Sequence, residues 1–230
     1  MNVEQLLFSQ GFGTRSDCRQ ISLTGNFAVN GEVITDPFAD VCAENGTVYS
    51  VMGESWPYYE KAVIVMNKPP HYECSAKPHS HPSVLSLLPS PLRRRGVQPI
   101  GRLDEDTTGL LLLSDDGALN HRLTHPKKKV AKVYEVTLKY PADDKLVARL
   151  LSGVVLNDAP EKLTAADCRI ISENVITLTI AQGKYHQVKR MVAAASNRVE
   201  ALKRIQFGRL ALPENLKEGE WSWLPSPDLI

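Results

Sequence analysis

The residues best placed to do chemistry lie between Gly101 and Leu113, in the run Gly-Arg-Leu-Asp-Glu-Asp-Thr-Thr-Gly-Leu-Leu-Leu-Leu. Asp104 falls in its polar half, and Leu110 to Leu113 form an apolar run of the kind that becomes a buried strand. A carboxylate on a loop braced by such a strand can be held in one place, which a base or a nucleophile requires. Two other stretches carry complementary groups. Lys132 and Tyr134 precede and open an alternating segment, Val133 to Leu138, which predicts a half-buried strand with both side chains on one side. Taken alone, Tyr134 reads as a core aromatic. Gly183 to Met191 concentrates Lys184, His186, Lys189 and Arg190 at a glycine turn between a strand and a helix, a good frame for a binding site.

Other polar clusters invite less chemistry. His71, His79 and His81 suggest a metal site, but they lie in a proline-rich loop rather than on one helix face, and no cysteine or carboxylate completes the set. No metal is therefore expected, and with no phosphate-cradling glycine loop, no cofactor. Arg93-Arg94-Arg95 would attract phosphates, although a solvated charge run is the commoner reading of such a triplet. Asp115 and Asp116 sit where a helix starting near Ala118 needs a cap, which argues against an acid pair with Asp104 of the kind a hydrolase uses.

The elements that must position these groups follow from periodicity and punctuation. Val3, Leu6 and Leu7 mark a first helix that breaks at Gly11 and Gly13, and a second begins near Thr14 and carries Cys18 and Ile21. Asn30-Gly31 between Phe27-Ala28-Val29 and Val33-Ile34 predicts a tight hairpin. Residues 54–61, with Pro57, Trp56, Tyr58 and Tyr59, read as a linker. Buried strands are expected at Ala62 to Met66 and Val175 to Ile180, helices at Ala118 to His125, Asp143 to Leu151 and Tyr185 to Ala195, and a less regular segment at Val154 to Arg169.

Several of these stretches together resemble the pseudouridine synthases, in particular the branch that modifies bacterial ribosomal RNA. They are Met66-Asn67-Lys68-Pro69, Gly101 to Leu113, Lys132-Val133-Tyr134 and Gly183 to Met191. One departure is His71, where that family usually has Gly before the tyrosine. The first 53 residues, with Arg15, Ser16, Arg19, Gly25 and Val29 to Gly31, resemble the S4 RNA-binding domain, except that its usual opening Arg-Leu-Asp is replaced by Asn2-Val3-Glu4. The resemblance implies an α+β chain: an S4-like domain over residues 1–53, a linker over 54–61, and a catalytic domain over 62–230 with a mixed, mostly antiparallel sheet flanked by helices. It implies Asp104, Tyr134 and Lys189 as the catalytic set. RNA contacts are implied for Arg102, Arg15, Arg19, Lys132, His186, Gln187 and Arg190, with Arg190 the competing partner for Asp104.

The wording Asp106-Thr107-Thr108-Gly109, Asp115-Asp116-Gly117 and His121-Arg122-Leu123-Thr124 resembles the synthases acting on one uridine of small-subunit 16S rRNA more than their 23S relatives. The implied target is uridine 516, presented in a partly assembled small ribosomal subunit. Overall charge does not announce a nucleic-acid binder. The chain has 27 Lys and Arg against 26 Asp and Glu, so any RNA affinity must come from local clustering. Four widely spaced cysteines, an amino end carrying Glu4, Gln5 and Gln10, and no apolar run long enough for a bilayer predict a cytoplasmic protein with reduced thiols and no membrane contact, which is expected to act as a monomer. The rival of another class is a non-catalytic S4-type RNA-binding protein, which has no need to keep Asp104, Tyr134 and Lys189 together.

Overall fold

The computed structural model describes residues 1–156 and 159–230. Two short helices open the chain, each started by a side chain that satisfies its otherwise unpaired amides. In α1 (Val3–Ser9) Asn2 and Gln5 cap one another, and in α2 (Arg15–Leu23) Thr14 and Asp17 do the same. They bury Val3, Leu6 and Leu7 from the first and Cys18 and Ile21 from the second. Strands β1 (Phe27–Val29) and β2 (Glu32–Val33) meet at Asn30-Gly31, whose φ values of 51° and 82° are those a tight hairpin needs. Strands β3 (Val48–Val51) and β4 (Glu54–Pro57) complete an antiparallel sheet of order β2-β1-β3-β4. The first unit thus runs past residue 53. Residues 54–57, read as linker, are its edge strand, because Met52-Gly53 adopt positive φ and return the chain onto β3.

The remainder folds around a nine-stranded sheet. In chain order come β5 (Val63–Lys68), α3 (Ser90–Arg94), β6 (Gln98–Ile100), β7 (Thr108–Ser114), α4 (Gly117–Thr124) and β8 (Lys132–Leu138). They are followed by α5 (Asp144–Ser152), β9 (Val154–Leu156), β10 (Ala159–Leu163), β11 (Asp167–Ser172), β12 (Val175–Ile180), α6 (Gln187–Ala194), β13 (Val199–Phe207), β14 (Leu210–Ala211) and β15 (Trp221–Trp223). The sheet order is β11-β12-β8-β13-β7-β5-β15, with β14 paired to β13 and β6 to β7. Only β13 and β7 pair in parallel, so the sheet is mixed and mostly antiparallel. The segment 154–169, expected to be irregular, contains the β9–β10 hairpin and the start of β11; within it, residues 157 and 158 lie outside the described residues.

The central strands are apolar on both faces, as strands covered from both sides must be. Leu111 and Leu113 face the larger core with Ile64 and Met66, while Leu110 and Leu112 face a second cluster with Val63, Val65, Leu119, Leu123 and Phe207. The two units share a core. Phe12 lies edge-on to Trp56 at 5.2 Å, Trp56 to Trp223 at 5.5 Å, and Tyr59 lies 5.1 Å from Trp223. Arg95 locks the same seam: its guanidinium donates to Asp115, Gln10 and the Glu60 carbonyl, and its side chain is 2% exposed. The arginine triplet expected to attract phosphate therefore loses one member to structure. Among the described residues no helix is long and apolar enough to cross a membrane.

Candidate active site

Loop 101–109 is held at both ends by buried contacts. Upstream, Leu103 is buried and its amide donates to Cys74 Sγ at 3.5 Å. Downstream, Gly109 has φ +96° and lies so close to β13 that a Cβ there would stand 2.3 Å from the Arg204 carbonyl oxygen, which only glycine tolerates. From beneath, Lys68 at the end of β5 is fully buried and donates from Nζ to the carbonyls of Pro69 (3.0 Å), Glu105 (3.0 Å) and Thr107 (2.9 Å). Burial depresses the Lys68 pKa, and the nearby Cys74 and loop carboxylates oppose that shift. One ammonium group thereby sets the backbone on either side of Asp106, starting at Glu105, the residue next to Asp104.

Asp104 projects from this loop with its side chain 30% exposed. His186 Nε2 lies 3.3 Å from one carboxylate oxygen and Lys189 Nζ 3.6 Å from the other. Lys189 bonds more tightly to Asp106, at 2.6 and 2.7 Å to its two oxygens. Burial raises the Asp106 pKa, but the hydrogen bond and charge of Lys189 outweigh it and leave the carboxyl below its usual range. Of the two cations that could face Asp104, the structure brings Lys189; Arg190 Nη1 donates to the Tyr185 carbonyl at 3.2 Å. These groups sit at the start of α6, where His186 takes the left-handed conformation with φ 47° and turns the chain into the helix.

Tyr134 reaches the same place from the sheet. It is buried on β8, directly opposite Arg204 of β13, and both line a cavity of about 620 Å³ with Arg102, Asp104, Lys132 and Phe207. Arg102 is exposed, and among the described residues it forms no ion pair with Glu105 or Asp106. Lys132 Nζ and the Arg204 guanidinium both lie over the Phe207 ring, at 5.2 and 5.1 Å. Arg204 donates from Nε to the Leu110 carbonyl at 2.7 Å, but its buried Nη2 finds no partner among the described residues. Burial, with the neighbouring Arg204 charge, pushes Lys132 down to about 8. Two cations that have no carboxylate partner among the described residues thus line the same cavity.

Other expected contacts are placed differently. Gln187 is buried, accepts from the Lys184 amide at 3.0 Å and donates to Met191 Sδ, so it shapes the turn before α6 instead of reaching for RNA. Arg15 and Arg19 both close on the Glu4 carboxylate, Arg15 at 2.9 Å, with about half of each side chain still exposed. Asp116 caps α4 and Asp115 binds Arg95 and the Ala62 amide, so neither joins Asp104. Reading the sequence missed Lys68 and Arg204. The alternation of Leu202 and Arg204 along β13 placed Arg204 on an inward face and could have flagged it; nothing in the Asn-Lys-Pro-Pro wording singled out Lys68. The histidines that no carboxylate neighbours in sequence gain one in space, because the fold carries Glu105 to His71 and His81.

A carboxylate, a phenol and a cation around one cavity on a mixed sheet are the makings of an enzyme that works by positioned acid–base groups. The comparison with known proteins narrows the class. Residues 62–194 match the family described as RNA pseudouridylate synthase, and the chain belongs to that family of isomerases. It is 37% identical to the ribosomal small subunit pseudouridine synthase A of Salmonella typhimurium over 204 residues, which is 87% of this chain and 86% of that one. It is 36% identical to the uncharacterized RNA pseudouridine synthase YtzG of Bacillus subtilis over 100% of this chain and 97% of that one. A crystal structure of a pseudouridylate synthase shares the fold with a TM-score of 0.68 and 32% identity, covering 97% of this chain and 96% of that one.

Proposed function

We propose that this synthase converts one uridine of small-subunit 16S rRNA to pseudouridine, at uridine 516, within a partly assembled small subunit in the cytoplasm. The names of relatives such as those of Salmonella typhimurium and Yersinia pestis support the small-subunit substrate. The reaction breaks the bond from uracil nitrogen to the sugar, turns the base, and rejoins it through carbon, with no net change in composition. It therefore needs a group that acts at the sugar and then removes a proton from carbon, and a pocket that retains the free base.

The observation that carries this reading is the meeting of Asp104 and Tyr134 at one cavity, with Lys189 behind the carboxylate. Asp104 is the group that acts at the sugar. Tyr134 stacks on the uracil or moves a proton on the sugar, and Lys189 holds the charged loop through Asp104 and Asp106 together. Exposed Arg102, at the cavity mouth, fills the RNA stack when the uridine is flipped out. Lys132 and Arg204 offer their uncompensated charge to the RNA backbone. The first unit, through residue 57, is an S4-like RNA-binding domain whose Arg15 and Arg19 keep enough exposed surface to meet phosphates.

The test is to incubate the protein separately with small-subunit and large-subunit precursor particles lacking pseudouridine and to map modified uridines. Product at one 16S uridine is expected. Product only in 23S rRNA would refute the substrate, and an Asp104→Asn variant with near wild-type turnover would refute the catalytic assignment.

A further inference from the structure

Three side chains outside the catalytic set converge beside the loop that bears Asp104. His71 Nδ1 lies 3.4 Å and His81 Nε2 3.8 Å from the same Glu105 oxygen, and the three ligand atoms all fall within 4.8 Å of one another. We propose that His71, His81 and Glu105 bind one divalent transition-metal ion of the zinc class. Two imidazole nitrogens and one carboxylate oxygen, with a position left open, are a common donor set for that ion. Metal–ligand bonds of about 2.0–2.1 Å in a tetrahedron place ligand atoms about 3.3 Å apart. The first edge is already at that spacing, and the other two close by rotation of half-exposed side chains.

Preorganisation is the second argument. The backbone of each ligand is pinned by bonds that leave its ligating atoms unused. His71 donates its amide to the Glu105 carbonyl at 2.7 Å, which Lys68 also holds. The His81 loop is wrapped around Glu73, whose carboxylate accepts from the amides of His79, Ser80 and His81 at 3.0, 2.7 and 2.9 Å. His71 itself holds φ 64°, a conformation that costs a non-glycine residue energy and that tends to persist where a side chain is needed.

The third argument is the state of the carboxylate. The Glu105 oxygen that faces both histidines is shut off from solvent, yet among the described residues it accepts no hydrogen bond. A buried carboxylate oxygen that faces two imidazole nitrogens without a hydrogen bond is an arrangement a cation reconciles. A bound ion would tie loop 71–83 to the residue next to Asp104, giving metal availability a route to the order of the catalytic loop. The inference does not depend on which RNA is the substrate.

The test uses the untagged full chain, stripped with a chelator and titrated with Zn²⁺ by calorimetry and with Co²⁺ by visible absorption. One ion per chain and a tetrahedral Co²⁺ spectrum are expected. His71→Gly, His81→Ala and Glu105→Gln should each weaken binding by at least the roughly tenfold that loss of a mere second-sphere partner costs. His71→Gly is the decisive variant, because glycine is at ease at this φ and the metal-free chain should melt no earlier than wild type. A control replaces His121 and His125, whose rings lie 5.0 Å apart on and just after α4, by alanine and should leave the titration unchanged. No binding in the wild type, binding lost only in that control, or wild-type affinity in the Glu105→Gln chain would overturn the proposal; the last two would mean that the histidines and Glu105 form only an ion pair.

Discussion

Replacing Lys68 by methionine tests whether the Asp104 loop is positioned from below. The substitution keeps the length of the side chain and removes an ammonium group that donates at 2.9 to 3.0 Å to three carbonyls. Hydrogen bonds to a charged group contribute about 1.5–3 kcal/mol each, and the cost of burying the charge, which methionine avoids, offsets part of their sum. The Thr107 carbonyl loses its donor in the interior, while the Glu105 carbonyl keeps the His71 amide, so a net destabilisation of about 3 kcal/mol follows. In a chain of this size each kcal/mol lowers Tm by about 2–4 °C, so melting should come about 6–12 °C earlier. The catalytic effect should be larger than the stability effect suggests, because a shift of about 1 Å in Asp104 costs about a hundredfold in turnover. Lys68 does not line the cavity, so RNA affinity should hold. The assays are calorimetric melting, single-turnover tritium release from labelled uridine RNA, and filter binding of the same RNA. A variant that melts with wild type and turns over within about threefold of it would refute the claim that these bonds set the loop, as would equal losses in binding and turnover.

Three further outcomes are expected. Tyr134→Phe should lower turnover far more than RNA affinity if the hydroxyl moves a proton, and parallel loss of both would assign the ring a packing role. Lys132 is depressed to about 8, so its contribution to RNA binding should be present below that pH and fade as pH rises through it; Lys132→Gln should bind more weakly at pH 7 and lose the step, measured as Kd against pH at constant salt. Deleting residues 1–57 should leave a chain that binds RNA with a flatter salt dependence but melts earlier, because it strips Trp56 from Trp223 and Gln10 from Arg95. A truncated chain as stable as the full one would show that the shared aromatic seam adds little.

Much of the local architecture was legible in the residues. Helix starts at Thr14 and Asp116, the Asn30-Gly31 hairpin, the apolar strand after Asp104 and the alternating strand through Tyr134 are written in patterns a few residues long. The wording around Asp104, Tyr134 and Lys189 also carried the family, because those short stretches keep their order along the chain. What the residues could not say is how distant segments face one another. Three facts depended on the sheet order and on the parallel pairing of β13 with β7: that Lys189 clasps Asp106 more tightly than Asp104, that Arg204 lies buried opposite Tyr134, and that Lys68 supports the loop from below. Glu105 was invisible as a partner for His71 and His81 because it lies more than twenty positions away in the chain. Secondary structure arises from hydrogen bonds and side-chain period within a few residues, so the sequence by itself determined it. A site is a convergence of charges and donors set by long-range strand pairing and by which side chains burial leaves unpaired, and that only the tertiary structure decided.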